Sequence, residues 1–527
     1  MSKVSKNASA VKPKNAVQQK YKSDVDGKII SKAVVVLGIL CILSAIVFDV
    51  TQSYNGTALV VCGMIVIVGW AIYLGINKKL TTQNIIILLF AAGFILRLDY
   101  VLYTKLAETS RIRQHDVYDF GSGKGHAGYI EFFYENGFKL PDFDPTTKAQ
   151  FYHPPLNHFL AALWMRLFTT FGASYSRAVS SIQFLPLFYS SCCMIVCERI
   201  FSKLKIEGLG KILAVSIIAF HPTMILLSGS INNDCLALLF TMLAVYYTVV
   251  WYDEPNNRNI LMLALAIGLG MSTKLSAALV AIPIAAVFLM KLIAEKKKTY
   301  DYIGQYCIFG LLCIPLGMWF YVRNFIKFKV SFTYVPKLSD TSDQYLGDRS
   351  TYERLFDMSY HPFENVFLNR IATGSEYYEY NPFVSIIKTS LFGEYKFDKV
   401  PLFLCKTLLV LNVIMILFSL AAFVYCLVKK SKYLDNTMKV LFGGYQVLMF
   451  ANFVNFCFKY PHNCSMDFRY IVPTMIIGAM FIGMFVNKLR DDIDKKNTLR
   501  AVVTYVSIGI TSIFCVFSEA VYICLAK

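Results

Sequence analysis

The segment Leu156–Phe171, LNHFLAALWMRLFTTF, decides how the rest of the chain is threaded. It is apolar enough to pass for a membrane span. It is also short of the roughly 20 residues that cross a ~30 Å hydrocarbon core, and it carries Asn157, His158 and Arg166. Counting it as a span inverts every later loop and sends Lys296–Lys298 and the run from Lys429 to Lys432 to the outside. Reading it as an interfacial helix, one face in the acyl boundary and the other in water, leaves the Lys-rich loops inside, as the positive-inside rule requires. We therefore read it as part of a large outer loop.

Working outward, the composition supports a membrane protein. Of 527 residues, 56% are hydrophobic and only 16% charged, against roughly a quarter charged in soluble chains. Apolar runs recur at 33–50, 57–75, 83–103, 179–200, 209–228, 233–252, 258–273, 275–292, 303–322, 402–428, 438–457, 471–487 and 500–524, about thirteen spans in all. The expected fold is an all-α polytopic membrane protein, a helical bundle with two large extracytoplasmic loops, 104–178 and 323–401, carrying interfacial or short helices. Residues 1–30, rich in Lys, Ser and Gln, read as a disordered cytoplasmic tail. Segment 31–80 supplies two additional helices ahead of a core at 81–527.

The net charge of +18 invites a nucleic-acid reading, but its placement argues against one. The cations gather in short loops: Lys78-Lys79, Lys203 and Lys205, Lys296–Lys298, Lys429–Lys432 and Lys488 to Arg500. That is an orientation signal, and the expected partner is the lipid bilayer. The 14 cysteines fall mostly in spans without CxxC or zinc spacing, so they read as small buried apolar residues.

One stretch breaks the apolar pattern. Arg111–His158, RIRQHDVYDFGSGKGHAGYIEFFYENGFKLPDFDPTTKAQFYHPPLNH, holds His115, His126, His153 and His158, four of the seven histidines. It also holds Asp116, Asp119, Glu131, Glu135, Asp142 and Asp144. Titratable groups gathered beside a span present a site at the membrane surface. Transfer from a lipid-linked phosphate to a hydroxyl needs a base at that depth and cations for the departing phosphate. Asp116 is suitably placed, with Asp119 as its rival and an exposed loop acid as the plain alternative. Asp234, in Ser230-Ile-Asn-Asn-Asp-Cys, stands at the outer end of a span, where it is either a second functional acid or an N-cap.

For the phosphate, the outer candidates are His153 in Tyr152-His-Pro-Pro, Lys274 at the junction of two spans, Arg323 after Trp319-Phe-Tyr, and Arg469-Tyr470 before the twelfth span. Each has an ordinary alternative, since cations at helix ends often reach for headgroups. No cofactor is expected; a divalent metal is conceivable, but His115, Asp116 and Asp119 lack the spacing of a closed site. His221, beside Pro222, reads as a satisfied core histidine.

These pieces resemble the membrane glycosyltransferases of the C-type fold (GT-C), closest to the family 39-like group of protein O-mannosyltransferases and aminoarabinose transferases. The resemblance rests on the acid-bearing loop, His153-Pro-Pro-Leu, the interfacial helix, Arg177-Ala-Val-Ser, Asn233-Asp234, Gly270-Met-Ser-Thr-Lys274, Arg323-Asn324 and Asp467-Phe-Arg-Tyr-Ile-Val-Pro473. It runs from about Tyr100 to Pro473. It implies inverting transfer of a sugar from a polyprenyl-phosphate donor to an extracytoplasmic acceptor, whether protein, lipid or wall polymer. By position, Asp116 matches the first-loop catalytic acid, His153 the histidine by the donor and Asp234 the acid of a later span. Where that group often has Asp-Glu, this chain has His115-Asp116, so the base is Asp116 or Asp119. The expected location is the plasma membrane of a bacterium, active site outward. The rival class is a flippase or transporter of polyprenyl-linked sugars, which would place its polar residues at mid-membrane instead.

Overall fold

A computed structural model of the protein describes residues 31–47, 56–104, 116–342, 344–357, 366–367, 379–429, 432–491 and 498–526. The expected tail at 1–30 and His115 lie outside them. Among the described residues there is no strand, only an isolated bridge between Tyr345 and His462. Helix is what a bilayer dictates, because a spanning segment must satisfy its own backbone. Each of the thirteen expected spans overlaps helix among the described residues. Nine helices among the described residues are long and apolar enough to cross, or ten if one bent pair is a single span. Ser31–Val47 (α1) and Asn257–Met271 (α11) are shorter apolar helices. Pro473–Asp491 (α18), which ends in Lys488 and Arg490, is not among the nine. The count of thirteen is thus not reached on length and apolarity.

Burial sorts the bundle into centre and rim. The window within Tyr175–Lys203 is 83% buried and that of Asp234–Asp253 (α10) 72%, whereas Ala58–Ile76 is only 11% buried. The first two form the middle, and the last stands at the lipid-facing edge. Gly208–Phe220 (α8) touches α18 backbone to backbone: a Cβ on Gly210 would lie 2.2 Å from the Gly483 carbonyl oxygen. Such close crossings are how membrane helices gain packing without a hydrophobic driving force.

The bent pair is α8 with Pro222–Ser228 (α9), broken by 47° at His221-Pro222. Proline cannot continue the α8 ladder but suits a new first turn. His221 fills the break as a satisfied core residue: its Nδ1 accepts from the Thr223 amide at 3.3 Å. The carbonyls orphaned at the end of α8 are taken by Arg97 of Thr82–Tyr103 (α3). Its guanidinium donates to Ile218 O at 3.0 Å, Ala219 O at 2.6 Å and Ser190 Oγ at 3.0 Å. A fully buried arginine is tolerable here because a helix C-terminus favours a cation.

Both polar loops fold at one end. The first builds Gly125–Glu135 (α4) and Leu156–Thr170 (α5) around Tyr129, Ile130, Phe133, Phe151 and Met165. Helix α5 buries Asn157, His158 and Ala161 and leaves Phe159, Leu163 and Leu167 exposed; it is two-faced, but Asn157 and His158 pack inside the protein where the sequence reading put them in water. Its first turn is anchored by Leu156 N to Ser272 O at 3.1 Å and by Asn157 Nδ2 to Ile231 O and Asn232 O at 3.2 Å. The second loop carries the short helices Thr351–Phe356 (α14), with a Ser350/Glu353 capping box, and Pro382–Phe392 (α15). The loops meet where Tyr152 packs edge-on against Tyr334, centroids 5.5 Å apart.

Candidate active site

The site begins with a glycine. Gly125 has φ +70°, and a Cβ there would lie 2.3 Å from the Tyr118 ring, 2.6 Å from Val117 O and 2.8 Å from Asp116 O. Only glycine accepts that conformation in that space. The chain therefore doubles back, and the first amides of α4 find carbonyls: His126 N to Asp116 O at 3.2 Å, Ala127 N to Val117 O at 2.9 Å. The fold-back sets the His126 ring beside the Asp116 carboxylate, Nε2 to Oδ2 3.6 Å.

A second turn arrives from far along the chain. Asp467 Oδ1 accepts from the Arg469 amide at 2.8 Å, which rolls Asp467-Phe-Arg-Tyr into a single 3-10 turn ahead of α18. Arg469 then reaches Asp116 Oδ2 at 2.7 Å and stands 3.7 Å from Asp234 Oδ2 and 4.0 Å from Glu394 Oε1. Its other terminal nitrogen donates to Tyr470 Oη at 3.2 Å.

Asp234 is the first residue of α10, while the cap position belongs to Asn233. An anion at a first turn meets the positive helix end, so the cap and the second-acid readings part here in favour of an ion pair. Asp234 is bound by Lys274 and takes Asn232 Nδ2 at 2.9 Å. Lys274, which has no carboxylate near it in sequence, gains one from 40 positions away. Its ammonium also lies 5.2 Å from the centre of the Tyr470 ring, a cation–π contact.

Three histidines gather beside this centre. His126 lies parallel to His153 (centroids 5.5 Å, 14°) and to His158 (5.1 Å, 3°), and a 2.8 Å hydrogen bond joins His126 Nδ1 to His158 Nε2. Burial, then the charge of neighbouring His126, holds His153 and His158 well below the usual imidazole range, so both are neutral at physiological pH. For Asp116, burial opposes ionisation, but Arg469 and then His126 outweigh it and hold the carboxyl well below the usual carboxylate range. Its Oδ2 takes these partners, while Oδ1 is buried with no hydrogen-bond partner among the described residues.

The fold thus brings together Asp116, Asp234, Lys274, Arg469, Tyr470 and, through the stack, His153. Asp119 is exposed, its carbonyl oxygen accepting from Ser122 Oγ at 2.5 Å. Arg323 donates to the Pro141 carbonyl and, at 2.8 Å, to Asn324 Oδ1, bracing Thr299–Phe328 (α13) against the first loop. His126, His158 and Glu394 join the site without having been singled out from sequence. The signal for His126 was Gly121, Gly123 and Gly125 just before it, all at positive φ; Glu394, in a loop 278 residues' reach from Asp116 (394 − 116), offered none. Among the described residues no group of three or more His, Cys, Asp or Glu is arranged to hold a metal ion, and the position between Asp116 and Asp234 is taken by the Arg469 guanidinium.

Asp234, Lys274, Arg469 and Tyr470 also line one cavity, whose other walls include Leu227, Ala237, Leu238, Tyr445 and Met449. A carboxylate, two cations and an apolar slot suit an amphipathic anion.

A model of the dolichyl-phosphate-mannose-protein mannosyltransferase family matches residues 152–319, a segment that holds His153, Asp234 and Lys274. The match agrees with the family resemblance over that segment, and the Asp116 loop, Arg323-Asn324 and Asp467–Pro473 lie outside it. Two solved structures of the oligosaccharyltransferase of Archaeoglobus fulgidus are similar. One, in complex with Zn and sulfate, is 12% identical with TM-score 0.47, covering 82% of this chain and 53% of that one. The other, tethered to an acceptor peptide containing the NVT sequon, is 13% identical with TM-score 0.45, covering 83% and 54%. The chain spans about half the length of the solved structures it matches. No curated protein matches it significantly.

Proposed function

We propose that this chain, an integral multi-pass membrane glycosyltransferase by its family match, moves a sugar from a polyprenyl-phosphate donor to an acceptor hydroxyl in one inverting displacement, with Asp116 as base. The acceptor is a protein, lipid or wall polymer, and the site faces outward from a bacterial plasma membrane. The observation that carries this reading is the cavity lined by Asp234, Lys274 and Arg469, the last bonded to Asp116, with walls that turn apolar along α10 and Asn436–Lys459 (α17). A lipid phosphate needs both halves of that cavity at once.

The donor phosphodiester lies against Lys274 and Arg469, and its isoprenoid chain follows the apolar wall. Asp116 accepts the proton of the acceptor hydroxyl as its oxygen attacks the anomeric carbon. The bond from that carbon to the phosphate oxygen breaks, and its electron pair leaves with the lipid phosphate. Charge grows on that phosphate in the transition state, where the preset cations act most strongly. Arg469 is shared between base and leaving group. As it turns toward the phosphate, Asp116 loses its strongest partner and becomes a better proton acceptor at the moment one is needed.

The test is release of label from defined polyprenyl-phosphate sugars to membrane acceptors, by purified protein in liposomes and by Asp116→Asn. The reading expects transfer by the parent protein and a loss of about 10²- to 10⁴-fold in the variant. Donor movement across the bilayer without consumption of the sugar–phosphate bond would replace it with the carrier reading.

A further inference from the structure

We propose that His126, seated by His158, is the positioning residue that makes Asp116 a one-sided base, with Oδ1 as the oxygen that takes the acceptor proton; this rests on the reading of Asp116 as base. The two carboxylate oxygens are not equivalent. Oδ2 receives Arg469 at 2.7 Å and faces His126 Nε2 at 3.6 Å. Oδ1 is buried and has no hydrogen-bond partner among the described residues. Native structures rarely leave such an atom idle, and an acceptor hydroxyl is the donor it lacks.

His126 is unusually well fixed for a loop residue. It is 1% exposed, and its fold-back amide is tied to the backbone of Asp116 itself at 3.2 Å. The ring is pinned at Nδ1 by the 2.8 Å bond to His158, which itself stacks on Tyr129 with centroids 4.4 Å apart. A bare ring nitrogen facing an ionised carboxylate is repulsive, so Nε2 carries the proton. If His158 donates across the shared bond, His126 is neutral; if His126 donates, it is an imidazolium. Both cases aim Nε2–H at Oδ2.

Asp116 is faced by Arg469, Tyr152, Tyr395 and Tyr470, with Asp234 and Glu394 beyond the guanidinium. His126 is faced by Asp116, His153 and His158, with Lys274 beyond His153. Within the displacement, the acceptor O–H proton goes to Oδ1, the new bond forms to the anomeric carbon, and the leaving pair goes to phosphate. The Nε2 proton of His126 stays where it is and holds Oδ2 turned away.

The experiment compares His126→Ala, His126→Gln and Asp116→Asn in liposomes loaded with a polyprenyl-phosphate sugar, reading kcat, donor KM and the pH profile of kcat/KM. His126→Ala is expected to lower kcat roughly a hundredfold with donor KM within about twofold. Its acid limb should move to higher pH, because Asp116 has lost a group that favours its ionised form. His126→Gln, which restores an N–H near the Nε2 position, should recover part of kcat and bring the limb back. A His126→Ala protein that melts like the parent but keeps its acid limb in place overturns the proposal, as does one that keeps its kcat. Full turnover by Asp116→Asn instead overturns the underlying assignment of the base, so the two failures are told apart.

Discussion

Arg469 donates to Asp116 Oδ2 across 2.7 Å although 353 positions separate them. The same guanidinium stands 3.7 Å from Asp234 and 4.0 Å from Glu394. One cation therefore holds three carboxylates together and ties the first polar loop to the turn ahead of α18. Both terminal nitrogens already have partners, and an incoming phosphate must compete for them.

That competition has a pH signature. Burial resists the charge on Asp116, but Arg469 and His126 prevail, and its carboxyl titrates well below the ordinary value of about 3.9. Ionised Asp116 is the active form, so the acid limb of activity lies below the usual carboxylate range. The associated stability is present above the unfolded value and is lost as pH falls through the lower folded value. Arg469→Met should raise that folded value, move the acid limb to higher pH and remove this stability at neutral pH. Arg469→Lys keeps the charge without the fork that serves several oxygens and should fall between. A pH–rate profile with melting curves at pH 4 and pH 7 reads both effects.

Lys274 supports a different prediction. Its partner Asp234 is 5% exposed at the side chain. Lys274→Met therefore leaves a buried carboxylate with the Asn232 hydrogen bond and the longer Arg469 contact as its remaining partners, and should cost about 1–3 kcal/mol. Pairing it with Asp234→Asn removes that charge, so the double variant should regain stability. It should not regain donor affinity, because the phosphate has still lost a cation. Thermal melting and donor binding across the four proteins of the cycle separate the two roles.

The choice between Asp116 and Asp119 is settled by the same assay. Asp119 is exposed and its carbonyl serves the Ser122 turn; Asp116 is bonded to Arg469 in the cavity region. Asp119→Asn should keep turnover within about twofold and leave stability within ~0.5 kcal/mol, as surface changes usually do. A loss from Asp119→Asn as deep as that from Asp116→Asn would count against Asp116 as base.

How far the sequence reached follows from what kind of signal each feature leaves. Spans announce themselves because a bilayer demands long apolar runs, and each expected run overlaps helix among the described residues, although fewer than thirteen helices are long and apolar enough to cross. Helix α5 was legible because Asn157, His158 and Arg166 interrupt its apolar face. Asp234, Lys274 and Arg469 were legible as polar residues at helix ends, but their pairing was not, because nothing local in a chain records which of two distant ends will meet. Asp234 looked like a cap for that reason: the residue that takes the cap position is its neighbour Asn233. His126 lay in plain view among four loop histidines. It took the Gly125 fold-back to show that it is the one facing Asp116.

Gly125 gives the last prediction, and it tests that fold-back directly. The residue sits at φ +70°, in the left-handed region that a side chain resists. A methyl group there would press on the Val117 and Asp116 carbonyl oxygens at 2.6 and 2.8 Å, both backbone atoms with no rotamer to yield. Gly125→Ala must therefore open the turn, costing about 1–3 kcal/mol by conformation alone. The amide bonds from His126 and Ala127 to Asp116 and Val117 open with it, and Asp116 is carried away from Arg469. Turnover should fall nearly as far as in Asp116→Asn. Gly137, also at positive φ (+60°), has nothing within 4 Å of its would-be Cβ, so Gly137→Ala pays a similar conformational cost without the collision. It should lose stability but keep its turnover per folded molecule. Measuring label transfer and melting for both variants decides between a local strain effect and loss of the Asp116–Arg469 alignment: equal turnover in the two would mean the fold-back at Gly125 does not position the site.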